Sequence, residues 1–318
     1  MRPTGPLHLG NLHGALLNWV GMQDDYECFF FIADWHALTS DYEHTDQIRN
    51  YVHQMMIDWL SAGLSPEKCT LFVQSDIMEH AELFLLLSMI TPVPWLERNP
   101  TYKDQIVQLS SKDLSTFGFL GYPLLQAADI IMYKADGVPV GMDQIPHVEI
   151  TREIARRFNF LYGNVFPEPE TILTQTPKLL GTDNRKMSKS YDNAIYMSGT
   201  EKETAAAAAT MITDPQRIKR SDPGDPDICN VFSFHNIYSD REMIDQINTE
   251  CRAGQIGCVQ CKRMMAKNLN RFLEPIREKR AYYEQHPDLV KDIMTAGAKK
   301  AKPVAIQTME DVRRAMKI

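Results

Sequence analysis

The sequence predicts an α/β fold with parallel strands, followed by an all-helical C-terminal region. Two observations carry this. Cys28-Phe29-Phe30-Phe31-Ile32-Ala33 and Thr70-Leu71-Phe72-Val73-Gln74 are short, apolar and β-prone, as buried strands are, and an amphipathic helical pattern over residues 45–60 separates them. From Thr200 onward the patterns are helical: 201–212 with its alanine run Ala205 to Ala209, then 264–283 and 287–298. A chain of 318 residues, 44% hydrophobic, buries a sizeable core in about two domains. The boundary falls near residues 191–199.

In chain order, Arg2-Pro3-Thr4-Gly5-Pro6 reads as a loop, and residues 11–20 as a helix with Leu12, Leu16, Leu17 and Val20 on its apolar face. The start of such a helix offers unpaired N–H groups and the positive end of its dipole to a phosphate. Gly10 admits close approach, and His8 and Asn11, three apart, share a turn from which both can donate. Alone, this string is equally an ordinary loop-to-helix junction. The strand ends would present Asp34-Trp35-His36 and Gln74-Ser75-Asp76 where open parallel sheets bind ligands. Residues 78–126 read as mostly helical, strongly apolar over 78–89 and broken by Pro92, Pro94 and Pro100. Such all-round apolar helices are either core or interface.

Lys186-Met187-Ser188-Lys189-Ser190 follows the polar stretch Gly181-Thr182-Asp183-Asn184-Arg185, so residues 181–190 read as a mobile loop. Two ammonium groups there suit a pyrophosphate leaving group whose charge grows during in-line displacement. Alone it is a solvated basic loop; paired with the upstream His8 string it points to ATP activation of a carboxylate.

The formal net charge of −7 hides an uneven distribution. Residues 251–318 carry 15 Lys plus Arg against 7 Asp plus Glu, and residues 1–250 carry 19 against 34. The basic tail, including Lys299-Lys300-Ala301-Lys302, is the expected polyanion face; a solvated helical surface is the alternative. No apolar stretch approaches the roughly 20 residues of a membrane span, and there is no basic-then-apolar leader, so a cytoplasmic protein is expected.

Of six cysteines, Cys28 and Cys69 sit in strand-like runs and read as core thiols. Cys229, Cys251, Cys258 and Cys261 are separated by 21, 6 and 2 residues and suggest a metal rather than disulfides. Zinc is the default for four cysteines, although only Cys258 and Cys261 make a close pair.

The His8 and Lys186 strings together resemble the paired signatures of class I aminoacyl-tRNA synthetases, and the whole chain is similar to the bacterial tryptophanyl-tRNA synthetase family. The resemblance is most specific at residues 2–17, 31–37, 122–129 and 138–157. It implies a doubly wound, Rossmann-like catalytic domain over 1–192, with a helical dimer insertion at about 78–126, and a helical anticodon-binding domain over 193–318. It implies His8, Asn11, Lys186, Ser188 and Lys189 as catalytic residues. ATP would lie against Arg2, Pro3, Thr4, Gly10, Asn11, Gly141, Met142, Asp143, Leu179, Lys186, Met187, Ser188, Lys189 and Ser190, with Leu179 in a strand-like stretch. Mg²⁺ is implied as the phosphates' counter-ion.

For L-tryptophan the resemblance implies Asp129 as acceptor of the indole N–H, Tyr122 and Gln144 around the ammonium, and His36 near the carboxylate. Gln126 shares the helical face of Tyr122 and Asp129 and joins that lining. The cysteine spacing resembles a subgroup holding a [4Fe–4S] cluster on Cys229, Cys251, Cys258 and Cys261; zinc remains the alternative. Implied partners are tRNA(Trp) and a second copy of the chain. A tyrosyl enzyme stays open because Tyr122, Gln126 and Asp129 also resemble its phenol-binding pattern. So does a synthetase-like RNA-binding paralogue that senses redox state. Two departures stand out: Asn11 replaces a histidine, and the family has several more residues, a first strand and Ser-Gly, ahead of Arg2. Either the start lies further upstream or the sheet is short of part of a strand, with weaker ATP or tryptophan binding as the consequence.

Overall fold

A computed structural model describes residues 1–108, 112–173 and 179–318. The N-terminal loop leads into α1 (Leu9–Asn11), a π turn (Leu12–Leu16) and α2 (Leu17–Met22), where the apolar pattern predicts one helix. Then come β1 (Phe29–Ile32), α3 (Asp34–Asp41), α4 (Ile48–Ala62) and β2 (Thr70–Val73). The predicted helical stretch is α5 (Glu79–Ser88), α6 (Val93–Glu97), α7 (Pro100–Gln108), α8 (Phe117–Leu120) and α9 (Tyr122–Ile131). After β3 (Gly137–Val140), α10 (Ile145–Tyr162) and β4 (Glu170–Leu173) the chain is helical: α11 (Glu201–Thr210), α12 (Asn230–Tyr238), α13 (Arg241–Arg252), α14 (Cys258–Gln285) and α15 (Pro287–Met316).

The strands pair in parallel, as the alternation predicts, β1 with β2 in the register Phe29 to Thr70 and β3 with β4 in the register Gly137 to Glu170. Among the described residues they form two two-stranded pieces rather than one continuous sheet. Between β1 and β3 lies a cavity of about 570 Å³. On that edge of β1 Met1 makes backbone bonds, donating from its ammonium to Phe31 O (2.8 Å) and accepting from Ala33 N (2.8 Å). This is parallel pairing opposite Ile32.

The last two helices run further than their patterns predict. α14 starts at Cys258, and α15 continues through Gly297 and Pro303 to Met316. Tertiary burial overrides the interior proline: Ala301, Ala305, Met309 and Val312 lie in one core with Leu83, Leu87, Ala128 and Ile154. A second core joins Leu9, Leu12, Trp59 and Leu60 to Met265, Leu269 and Leu273 of α14. Helices beyond residue 193 therefore share both cores with the strands and helices before it.

Within the expected polyanion face at Lys299 to Lys302, Lys299 is exposed while two lysines have partners in the fold. Lys300 donates to Pro66 O (3.0 Å) and Lys302 pairs with Glu79 at 2.8 Å. Further along α15, Arg313 makes a two-pronged contact with Glu82 (2.8 and 2.6 Å). Lys302 and Arg313 hold α15 to α5, and Lys300 ties it to the segment between α4 and β2.

Candidate active site

The two signature strings, about 180 residues apart, meet. His8 caps α1 and its N–H donates to Asn11 Oδ1 at 3.0 Å. Asn11 thus accepts within the turn, where the sequence reading had it donating; its Nδ2 keeps the donor role. Antiparallel pairing of His8 with Tyr196, with Leu9 N donating to Ile195 O and Met197 N to Leu7 O, pins this loop to residues 195–197. A Cβ placed on Gly10 would crowd the His8 ring, 2.9 Å from Nδ1, and would stand at ordinary contact distance, 3.6 Å, from the Met187 Cβ, so the two strings lie in van der Waals range of each other here. Met187 is buried in the core that holds Leu9 and Leu12. Burial, then the nearby Lys189 charge, lowers His8 to about 4, so its imidazole is a neutral ligand at neutral pH.

The lysines divide the work unequally. Lys189 points inward over Gly5, its Nζ 3.3 Å from where a Cβ would stand on that residue. Burial lowers its pKa to about 8, partly offset by Asp58 and Asp41 and reinforced by Arg2. Lys186 is exposed and pairs with Asp143 Oδ2 at 3.6 Å. The loop expected to be mobile carries ties: Asn193 accepts from Ser188 N (2.8 Å) and donates to Asp183 (2.6 Å) and Lys186 O (3.1 Å). Leu179 stands outside any strand, next to the single bridge that Leu180 makes with Lys186. The Ser190 side chain lies outside the described residues.

The cavity is lined in part by Arg2, His36, Tyr122, Gln126, Asp129, Gln144 and His147. α9 is apolar on the side that meets α5 and α10 and turns Gln126 and Asp129 into the cavity, the facing that the helical spacing predicts. Tyr122 Oη lies 3.5 Å from His147 Nε2, and the His36 ring stands edge-on to Tyr122 at 5.8 Å. Burial, followed by Arg2 and the Met1 ammonium, holds His36 well below its ordinary pKa, a neutral hydrogen-bonding group. Its backbone N–H donates to Gln74 Oε1 at 3.1 Å. Asp129 is buried and accepts from Gln74 Nε2 at 2.7 and 2.9 Å and from His80 Nδ1 at 2.6 Å.

Phosphate ligands beside a neutral imidazole, an inward lysine and a half-apolar slot ending in an anchored carboxylate suit an amino acid and a nucleotide together. The family model for tRNA synthetases class I (W and Y) matches residues 1–274. This chain belongs to the class I tryptophanyl- and tyrosyl-tRNA synthetase family. It is 53% identical to the tryptophan–tRNA ligase of Thermotoga maritima over 100% of this chain and 98% of that one. With the tryptophan–tRNA ligase of Aquifex aeolicus it is 46% identical, again over 100% and 98%. A crystal structure of tryptophanyl-tRNA synthetase from Campylobacter jejuni with ADP and tryptophan superposes with TM-score 0.91 at 33% identity, covering 100% of this chain and 98% of that one. A tyrosyl-tRNA synthetase from Archaeoglobus fulgidus superposes at TM-score 0.66 with 19% identity, a likeness of fold alone.

In this class I synthetase Cys229, Cys251, Cys258 and Cys261 gather where α12, α13 and α14 begin or end. Arg217 Nη1 lies 3.8 Å from both Cys251 Sγ and Cys258 Sγ, and Cys261 Sγ lies 3.5 Å from His235 Nε2. Burial, then the neighbouring Cys229, Cys251 and Cys258, pushes the Cys261 thiol up to about 12. Among the described residues no three His, Cys, Asp or Glu side chains are set to hold a metal ion. Beside the cysteines opens a second cavity, about 690 Å³, lined by Arg217, Lys219, Arg220 and Arg263 together with Ile218 and Val259. The sequence reading missed this basic cluster because its members fall in a loop and on α14 rather than in one run. Gln74 was expected at a ligand-binding strand end, where the structure sets it against Asp129, but His80, a lone polar residue on an apolar helix, was missed.

Proposed function

We propose that this chain is a tryptophan–tRNA ligase that joins L-tryptophan to ATP with release of pyrophosphate and passes the aminoacyl group to the 3′ ribose of tRNA(Trp). The observation that carries the reading is the meeting of Gly10 with Met187 and of Gly5 with Lys189, which builds one phosphate site from both signatures.

The tryptophan carboxylate attacks the α-phosphorus in line and pyrophosphate departs, without a covalent enzyme intermediate or general base. Arg2, Pro3, Thr4, Gly10, Asn11, Gly141, Met142, Asp143 and Leu179 shape the ATP side. His8 donates from a neutral ring, and Lys189, with Lys186, Met187, Ser188 and Ser190 on the same loop, stabilises charge growing on the leaving group. Mg²⁺ accompanies the phosphates and needs no dedicated protein cage. Asp129 accepts the indole N–H, which rejects a ring without that donor. Tyr122, Gln126 and Gln144 surround the ammonium side and His36 the carboxylate.

The catalytic part spans 1–192 and the RNA-binding part 193–318. The cations Arg217, Lys219, Arg220 and Arg263 suit the phosphates of the tRNA. Exposed Leu85, Met89, Val93 and Phe117 suit a second copy of the chain. The spacing of the four cysteines, with one close pair where zinc sites favour two, is what favours a thiolate-bound [4Fe–4S] cluster over zinc, although among the described residues the side chains as folded are not set to hold a metal ion. Cys229, Cys251, Cys258 and Cys261 would hold it, and it would supply a clamp across the ends of α12, α13 and α14. No described helix is long and apolar enough to cross a membrane, in keeping with a cytoplasmic enzyme.

ATP–pyrophosphate exchange on anaerobically purified protein, with tryptophan against tyrosine and with iron and zinc assayed on the same sample, tests all of this. Tryptophan-dependent exchange is expected; tyrosine-dependent exchange reassigns Asp129, and zinc without iron reassigns the cysteines.

A further inference from the structure

We infer that His80 is a positioning residue for indole recognition, the middle member of a buried relay running from Tyr133 through His80 to Asp129. This rests on the reading of Asp129 as the indole acceptor and adds the residues that make it one.

His80 is fully buried on α5. Its Nδ1 lies 2.6 Å from Asp129 Oδ1 and its Nε2 2.8 Å from the Tyr133 hydroxyl. A carboxylate only accepts, so Nδ1 carries the proton. Its Nε2 shares a second hydrogen bond with the Tyr133 hydroxyl. The chain of contacts is continuous, Tyr133 to His80 to Asp129, with the His80 Nδ1 proton pointing at the carboxylate. Gln74 Nε2 adds a further donor shared between the two carboxylate oxygens, at 2.7 and 2.9 Å, and its Oε1 is fixed in turn by the His36 N–H at 3.1 Å.

Asp129 and Tyr133 line the cavity, whereas His80 and Gln74 do not; they back the carboxylate from the protein side. A carboxylate has about four acceptor directions. His80 and Gln74 supply two donors from the protein side, and Asp129 turns its remaining capacity to the cavity it lines. The rings of Phe31 and Tyr133 flank His80 at 5.4 and 5.5 Å and keep it from swinging away. Without the His80 proton Asp129 is held by Gln74 alone, and the acceptor stands less firmly in the one place that separates a ring that carries N–H from one that does not.

The test compares tryptophan with β-(benzothiophen-3-yl)alanine, an isosteric ring without the N–H, in ATP–pyrophosphate exchange. In the unmodified protein kcat/KM favours tryptophan; absence of that preference overturns the assignment of Asp129 itself, whatever His80 does. Given the preference, His80→Leu is expected to lower kcat/KM for tryptophan by roughly 10- to 100-fold, mostly through KM. For the analogue the loss is expected to be about threefold or less, so the discrimination ratio collapses. His80→Asn, whose amide can place a donor near the Nδ1 position, is expected to recover most of that ratio. Tyr133→Phe, which removes only the hydroxyl, should lower it about threefold and keeps the question answerable if His80→Leu does not fold. Equal loss for both amino acids in His80→Leu and Tyr133→Phe, or no recovery in a folded His80→Asn, would overturn the positioning role.

Discussion

Asp58 of α4 and Arg280 of α14 form a buried ion pair, with side chains 2% and 9% exposed, that ties the penultimate helix to α4 beneath the His8 loop. Arg280 also donates to Gln54 and pairs with Glu284 at 3.1 Å. Asp58 in turn accepts the backbone N–H of Leu7, the residue before His8. Burial raises the Asp58 carboxyl to about 6 even with Arg280 beside it. Removing one partner of a buried pair leaves an uncompensated charge, and we expect Arg280→Ala to cost about 3–5 kcal/mol at pH 8. The loss should shrink at pH 5, because Asp58 deprived of its partner takes up a proton. Urea unfolding at both values checks this; equal losses would mean that Asp58 is not the group left exposed to the deletion.

Lys189 and Lys186 are expected to separate in function. Lys189→Ala should lower adenylate formation by orders of magnitude with tryptophan binding largely intact, whereas Lys186→Ala should cost far less. The folded lysine loses its charge as pH rises through about 8. Accordingly kcat/KM for ATP in the exchange reaction should fall above pH 8 in the unmodified protein, and this limb should move to higher pH in Lys189→Arg, whose guanidinium stays charged. A profile unchanged by the arginine would place the titrating group elsewhere.

What the sequence made legible follows the range of the forces involved. Local periodicity and turn chemistry are short-range, and they locate β1, β2, α9 and the facing of Gln126 and Asp129. Contacts between distant segments have no local pattern. Asp58 and Arg280 are 222 residues apart, and His80 looks like one polar residue in an apolar helix until α9 brings Asp129 against it. Lys302 and Arg313 look like a solvated basic face because the acids that neutralise them, Glu79 and Glu82, belong to another helix. The end of α15 was hidden for a related reason: Pro303 and Gly297 are stop signals locally and are overruled by burial.

Gly297 is where α15 crosses β2. A Cβ there would stand 1.7 Å from the Leu71 carbonyl oxygen and 2.5 Å from its carbon, both backbone atoms unable to turn aside. Gly297→Ala usually helps a helix by up to about 1 kcal/mol; here it forces the helix off the strand. We expect a net loss of about 2 kcal/mol or more, read as a lower urea midpoint, with Gly297→Val worse still. A gain in stability from the alanine would contradict the close crossing of α15 over β2.

Acid should unfold the protein through its histidines. Burial lowers His8, His13 and His147 to about 4 each, so between pH 6.5 and 4 the unfolded chain binds protons that the folded chain refuses. The Met1 ammonium, lowered by burial to about 5, acts in the same direction from pH 8 downward. Asp58 opposes them, because its raised carboxyl takes a proton in the folded state between about 6 and 3.8. His36 and His235 are lowered by burial as well and Asp76 is raised, so five imidazoles against two carboxyls leave stability falling as pH falls, each imidazole lowered to about 4 contributing up to about 1.4 kcal/mol per pH unit in that window. His13 offers the cleanest check, since its ring stacks on Phe272 at 5.8 Å and its Nε2 meets the Tyr238 hydroxyl at 2.8 Å, away from the cavity. In His13→Phe the stacking survives and the titration goes, so the slope of unfolding free energy between pH 4.5 and 6 should flatten by about 1 kcal/mol per pH unit. An unchanged slope would mean that His13 gains its proton without unfolding.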